Sequence, residues 1–174
     1  MFKEFKSLIS KNLDKKGKYF NKQVFKWFDD NLKTSRKLDY ELKSNMDIDK
    51  LAKVEPKLGD IDVLLLDYDN RRLFSIECKN IESAKNPRDI NHEVDKFFDN
   101  KHWIEKHQKR DNWIKNNLNK LSKKIKHDLK NYTVFSIFIV SQELPTIYLK
   151  KLPIDVLPFP QIKRDGLNFL DKYH

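Results

Sequence analysis

The chain has 174 residues, 39% of them hydrophobic and 36% charged, with a formal net charge of +10. This is too apolar for a disordered polyelectrolyte and suits one domain with one core, while the basic excess favours a polyanion, DNA or RNA, before an anionic membrane surface. The single cysteine, Cys78, excludes an intramolecular disulfide, and no Cys/His set has zinc-finger spacing. No stretch approaches the roughly 18 consecutive apolar residues of a membrane span, and the first residues lack a signal-peptide core, so a cytoplasmic protein without membrane contact is expected.

Phe2, Phe5, Ile9 and Leu13 recur at helical spacing and predict a short amphipathic helix, broken over residues 14–17. Phe20, Val24, Trp27 and Phe28 form a second stripe, extended by Leu32, that predicts a helix over residues 18–32 with its aromatics in the core. Leu38, Tyr40 and Leu42 alternate with charged residues, so residues 36–43 and 46–51 read as the first strand region. The chain then passes Pro56 to Gly59, where the absence of a side chain permits a tight bend.

The most informative stretch follows. Residues 59–66 and 73–79 are apolar runs joined by the polar cluster Asp67-Tyr68-Asp69-Asn70-Arg71-Arg72, the pattern of a β-hairpin. Strand side chains alternate between faces. Glu77 and Lys79 should therefore share one face, with Cys78 on the other beside Ile76 and Phe74. Asp62 should share a face with Leu64 and Leu66 and lie near Glu77 at the open end of the hairpin. Two carboxylates held close bind a hard divalent cation, and an adjacent ammonium can hold an attacking water or stabilise a phosphoryl oxygen. Asp60 precedes Asp62 by two positions and reads either as an accessory ligand or as a polar strand start.

Asn86-Pro87-Arg88-Asp89 is a helix start, with Ile90, Val94, Phe97 and Phe98 as the buried stripe; His92 and Glu93 near its start read as a solvated face before a contact with the site. Residues 103–129 read as one long helical stretch whose lysines form either a phosphate-tracking surface or an ordinary solvated face. Trp103, His107 and Arg110, on successive turns, are its candidate nucleic-acid contacts. Residues 133–141 are almost wholly apolar and predict a buried central strand; residues 146–149 predict a shorter one. Pro153, Pro158 and Pro160 mark an irregular tail, with a last helical turn from Leu167, Phe169, Leu170 and Tyr173. The expected organisation is a single domain over residues 1–174, with a core over about 17–150 and a C-terminal extension over 151–174.

Ile61-Asp62 and Glu77-Cys78-Lys79, separated by a hairpin-length gap, resemble the PD-(D/E)xK nuclease superfamily, which includes many restriction enzymes and Holliday-junction resolvases. Gly59 to Val63 is similar to that family's Gly-acid-Ile-Asp-hydrophobic form. The likeness is specific over residues 59–79 and follows element order over residues 17–141. It implies an α/β, restriction-endonuclease-like core with a mixed central β-sheet flanked by helices. It implies a Mg²⁺- or Mn²⁺-dependent endodeoxyribonuclease that leaves a 5′-phosphate. Asp62 and Glu77 would be metal ligands with the backbone carbonyl of Cys78, and Lys79 would orient the attacking water. The family often adds a Glu from its first helix; Asn21 stands there, and it can accept a bond from water but supplies no negative charge. Glu41 is a candidate replacement. DNA is the partner implied, RNA is compatible, and many such enzymes act as homodimers. Asn21 also keeps open a nuclease fold that binds nucleic acid without cutting. A protein-interaction domain, basic through codon bias, is the third alternative.

Overall fold

The computed structural model describes residues 2–35, 39–52, 57–97, 102–149 and 151–174, with side chains from residue 11 onward except residue 52. The two apolar runs form strands β2 (Asp60–Asp67) and β3 (Arg72–Lys79), an antiparallel hairpin with Leu66 opposite Leu73 and Val63 opposite Ile76. β1 (Tyr40–Asp47) adds antiparallel to β2. β4 (Thr133–Val140) lies parallel to β3, and β5 (Asp155–Pro158) parallel to β4, so the order is β1-β2-β3-β4-β5 in a mixed sheet.

A parallel β3–β4 pair needs a long crossover. Here it carries α3 (Pro87–Phe97), α4 (Trp103–Asn116) and α5 (Leu118–Ile125). These helices cover one face, where Phe97, Ile104, Ile114 and Leu121 bury Leu64, Leu66, Leu73 and Phe138. The other face is covered by α1 (Phe2–Thr34), α7 (Phe159–Asp165) and a 3₁₀ helix (Gly166–Lys172), packed on Val63, Leu65, Phe74, Ile76 and Ile139. The result is an α/β fold with a five-stranded sheet between helical layers. Among the described residues, no helix is long and apolar enough to cross a membrane.

Several local expectations change. The break expected over residues 14–17 is absent, and α1 runs unbroken through Gly17, where a Cβ would meet nothing within 4 Å. One glycine costs a helix only about 1 kcal/mol relative to alanine, too little to stop one anchored by tertiary packing. The first strand is continuous to Asp47, short helix α2 (Asp49–Ala52) replaces its expected end, and residues 36–38 lie outside the described residues. The stretch after Trp103 divides at Asn117, whose φ of −131° leaves the helical region. Residues 146–149 are not a strand but belong to α6 (Pro145–Leu149), because Pro145 presets the first helical turn against the β-propensity of Thr146, Ile147 and Tyr148.

The tail differs most. It is neither irregular nor an extension: β5 joins the sheet, and Pro158 ends it while capping α7. Phe159 meets Phe20 at 5.7 Å between ring centroids, and Phe169 meets Phe28 at 6.1 Å. Arg72 Nη1 donates to the carbonyls of Leu170 and Tyr173, each at 2.8 Å. The core therefore includes residues 151–174.

Candidate active site

The open end of the hairpin is where strand pairing fails. The β2–β3 ladder stops at Val63–Ile76. The next free N–H on β3, that of Cys78, donates instead to Asp62 Oδ2 at 2.8 Å. Across the other edge of β2, the rung that would join Asp62 to Asn45 is missing, and Asn45 takes a left-handed φ of 48°. This irregularity shifts the phase of the strand. Ile61 packs in the same cluster as Leu64 and Leu66, whereas Asp62 reaches α1, where Asn21 Nδ2 donates to its Oδ1 at 2.6 Å. Asp62 thus does not share the face of Leu64 and Leu66, because strict alternation is lost at the irregular rung.

Glu77 and Lys79 keep the common face expected of them. Lys79 Nζ donates to Glu77 Oε1 at 2.5 Å and lies 5.2 Å from the centre of the Trp103 ring. Arg110 of α4 donates from Nη1 to Glu77 Oε2 at 2.6 Å and from Nε to the Leu58 carbonyl at 3.0 Å. Gly59, beside that carbonyl, has a φ of +77°, which disfavours any side chain there.

The two acids are electrostatically distinct. Burial, then the charge of Glu77, lifts Asp62 to about 6, against the opposing bond from Cys78 and the charges of Lys79 and Arg110. Burial would lift Glu77 too, but Lys79 and Arg110 outweigh it and hold this acid down at about 2. Burial pushes His107 down to about 4. Three buried atoms here have no hydrogen-bond partner: Asn21 Oδ1 and both ring nitrogens of His107.

Among the described residues, no group of three or more His, Cys, Asp or Glu side chains is gathered for a metal. The oxygen donors converging on the hairpin end are two carboxylates, the orphaned Asn21 Oδ1 and the Cys78 carbonyl. That carbonyl's direction follows from the ladder. The carbonyls of Arg71 and Lys79 accept from Thr133 and Ser141 on the β4 side, so the even-numbered residues between them turn their backbone groups toward β2. An all-oxygen set with one buried acceptor lacking a donor fits a hard divalent cation.

No protein-family model, curated protein or solved structure matches this chain. The site therefore rests on its own geometry. Asn21, Asp62 and the Cys78 N–H form one hydrogen-bonded group, and Glu77 and Lys79 form another whose charges act on Asp62. Asp60 does not join them: it is exposed at the strand start, opposite Asp47. Glu41 is also elsewhere, accepting from Tyr68 Oη at 2.5 Å and paired with Lys43 near the turn end of the hairpin.

Of the three candidate nucleic-acid contacts on α4, Trp103 is half-buried beside Lys79, and His107 and Arg110 are turned into the protein. His107 is 1% exposed, tilted on Phe138 at 4.7 Å, and Arg110 is 6% exposed on Glu77. Their face is the inward one because Ile104, His107, Arg110 and Ile114 form one stripe against the sheet. That spacing was the available sign of Arg110's role, masked by its charge. Glu93 is likewise buried rather than solvated, accepting from the N–H groups of Ala84 and Thr146. Ile90 and Val94 are only half-buried, and Phe98 lies outside the described residues.

Proposed function

We propose that the chain is a metal-dependent endonuclease that hydrolyses phosphodiester bonds in DNA at the open end of the β2–β3 hairpin, on a restriction-endonuclease-like core. The observation that carries this reading is the convergence of Asp62 with the Glu77–Lys79 pair beside an orphaned buried oxygen of Asn21. Asp62, Glu77, the Cys78 carbonyl and Asn21 Oδ1 would hold Mg²⁺ or Mn²⁺. Such an ion, when bound, supplies Lewis acidity toward a water and a phosphoryl oxygen.

The chain's own residues do the rest. Asp62, with a pKa near 6, is mostly ionised at neutral pH, and its geometry is fixed from two sides by Asn21 and Cys78. Lys79 is held between Glu77 and Trp103, so its ammonium is preorganised to orient a water and offset negative charge developing on the phosphate. Arg110 locks the orientation of Glu77. The formal charge of +10 supports a polyanionic substrate. A cytoplasmic location, and a homodimer for cutting both strands, belong to the same proposal.

Purified protein should nick plasmid or branched DNA with Mg²⁺ or Mn²⁺ and stop on addition of EDTA. Lys79→Ala should slow cutting by about 100-fold or more, the usual scale for removing one preorganised electrostatic group. Cutting at an unchanged rate would refute the mechanism. Calorimetry should detect Mn²⁺ binding that is absent from an Asp62→Ala, Glu77→Ala double variant.

One observation favours a second reading. Lys79 and Arg110 both neutralise Glu77, so the acids face two cations and the site attracts a metal less strongly than a bare carboxylate pair would. DNA binding without cleavage across divalent metals and substrates would select a nucleic-acid-binding module.

A further inference from the structure

Residues 11–19 of α1 lie outside the core. Asn21 marks the level at which α1 passes Asp62 at the open end of the hairpin. From there the helix runs toward the turn end, where β1 begins with Tyr40 opposite Asp67. Burial starts at Phe20; among residues 11–19 every side chain is exposed, and only Gly17 is partly covered. α1 therefore overhangs the sheet at the end that carries Asp62, Glu77 and Lys79. At a rise of 1.5 Å per residue, those nine residues reach about 13 Å beyond the site.

The overhang is patterned. Lys11, Lys15, Lys18, Lys22 and Lys26 are all exposed, and their spacings of four, three, four and four residues place them on one face. At 100° per residue this line lies opposite Phe20, Val24 and Phe28 and spans about 22 Å of helix. Asp14 is the one acid among residues 11–26. The ion pair found within α1 among the described residues, Lys33–Asp29, lies outside the line.

We propose that residues 11–22 of α1 form an electrostatic arm that follows the sugar-phosphate backbone of the nucleic acid bound at Asp62 and Glu77. This rests on the nuclease reading and adds to it where the flanking strand lies. A helix bearing a line of ammonium groups recognises phosphates without reading sequence. A second copy of the chain is a poorer occupant. Two such arms with their lysine lines facing each other would bring like charges together.

The test is fluorescence anisotropy of a labelled DNA duplex without divalent metal, titrated at several KCl concentrations. The wild-type chain is compared with Lys11→Gln/Lys15→Gln/Lys18→Gln/Lys22→Gln and, as a control of equal charge, Lys123→Gln/Lys124→Gln/Lys126→Gln/Lys130→Gln near α5. Loss of four phosphate contacts lowers the slope of log affinity against log salt by about 3 to 4 in magnitude. The arm variant should show this loss, with at least a tenfold weaker affinity at low salt, and the control should keep most of the wild-type slope. The four-fold Lys→Arg variant should retain wild-type binding, which separates lost charge from lost folding.

If wild type and arm variant share one slope, the arm is wrong and the nuclease reading stands. An equal loss in the control assigns the effect to net charge and also overturns the arm. If the wild type shows no salt-sensitive affinity, both fail. A dimer by sedimentation that the arm variant converts to monomer would make this helix a contact between copies instead.

Discussion

The β2–β3 hairpin carries a buried arginine–carboxylate pair at each end, and the two ends are finished differently. At the turn end, Arg72 donates to Asp67 through Nε and Nη2 and to two backbone carbonyls of the C-terminal 3₁₀ helix through Nη1. Asp67 accepts in addition from the backbone and side chain of Asn70. At the open end, Glu77 is shared by Arg110 and Lys79, a second acid stands beside it near pH 6, and Asn21 and His107 leave three buried atoms unpaired. A saturated network specifies a fold; a partly unsatisfied one costs stability and persists where something else is to be bound. One end of the hairpin is saturated with hydrogen bonds, and the other leaves buried polar atoms unpaired.

The largest expected effect would break the turn end. Arg72→Ala strands Asp67 as a buried, unpartnered charge and frees the C-terminal carbonyls, which should cost about 3–5 kcal/mol in urea unfolding. Mn²⁺ binding at the far end should survive wherever the variant is folded.

A stabilising change should follow at the open end. Because folding raises Asp62 from 3.8 to about 6, its ionisation costs the native state stability as pH rises through that window, and the cost is complete above it. Asp62→Asn should therefore stabilise the protein by on the order of 2 kcal/mol at pH 8, with the gain vanishing near pH 4. Chemical denaturation at both pH values checks this. An equal effect at the two would show that the acid is not perturbed. The same substitution should abolish cutting, so stability and activity move in opposite directions.

The smallest effect concerns His107. Folding holds this ring neutral down to about pH 4, so the unfolded chain takes up a proton first as pH falls below 6.5, and stability declines over that interval. His107→Phe removes two orphaned nitrogens on a ring already packed against Phe138. It should leave stability unchanged or raise it by about 1 kcal/mol at pH 7, and flatten the decline between pH 6.5 and 4.

The hairpin was legible because its apolar runs and polar turn are local signals. Asp62 and Glu77 could be brought to one end from strand periodicity alone. The face of Asp62 could not, because it depends on the missing rung at Asn45, a backbone event that residue type does not announce. Arg110 was visible as a position on α4 but not as the partner of Glu77, since the contact spans 33 residues and a charged side chain suggests solvent. The tail was obscured by its prolines: Pro158 ends a strand and caps a helix at once, where local rules read only interruption. The lysine line of α1 was hidden by the supposed break near Gly17, which cut one continuous helix in two.

The crossover between β3 and β4 has a consequence for how the protein assembles. β1, β2 and β3 pair as neighbours along the chain, whereas β4 closes onto β3 only after residues 80–132 have been gathered in. Short-range closures precede long ones because they sacrifice less chain freedom. This order predicts that the hairpin forms while α4 is still undocked and that Glu77 meets Arg110 in a late step. On that order the acids at its open end would first be solvated, and would acquire their contrasting proton affinities only when the crossover settles.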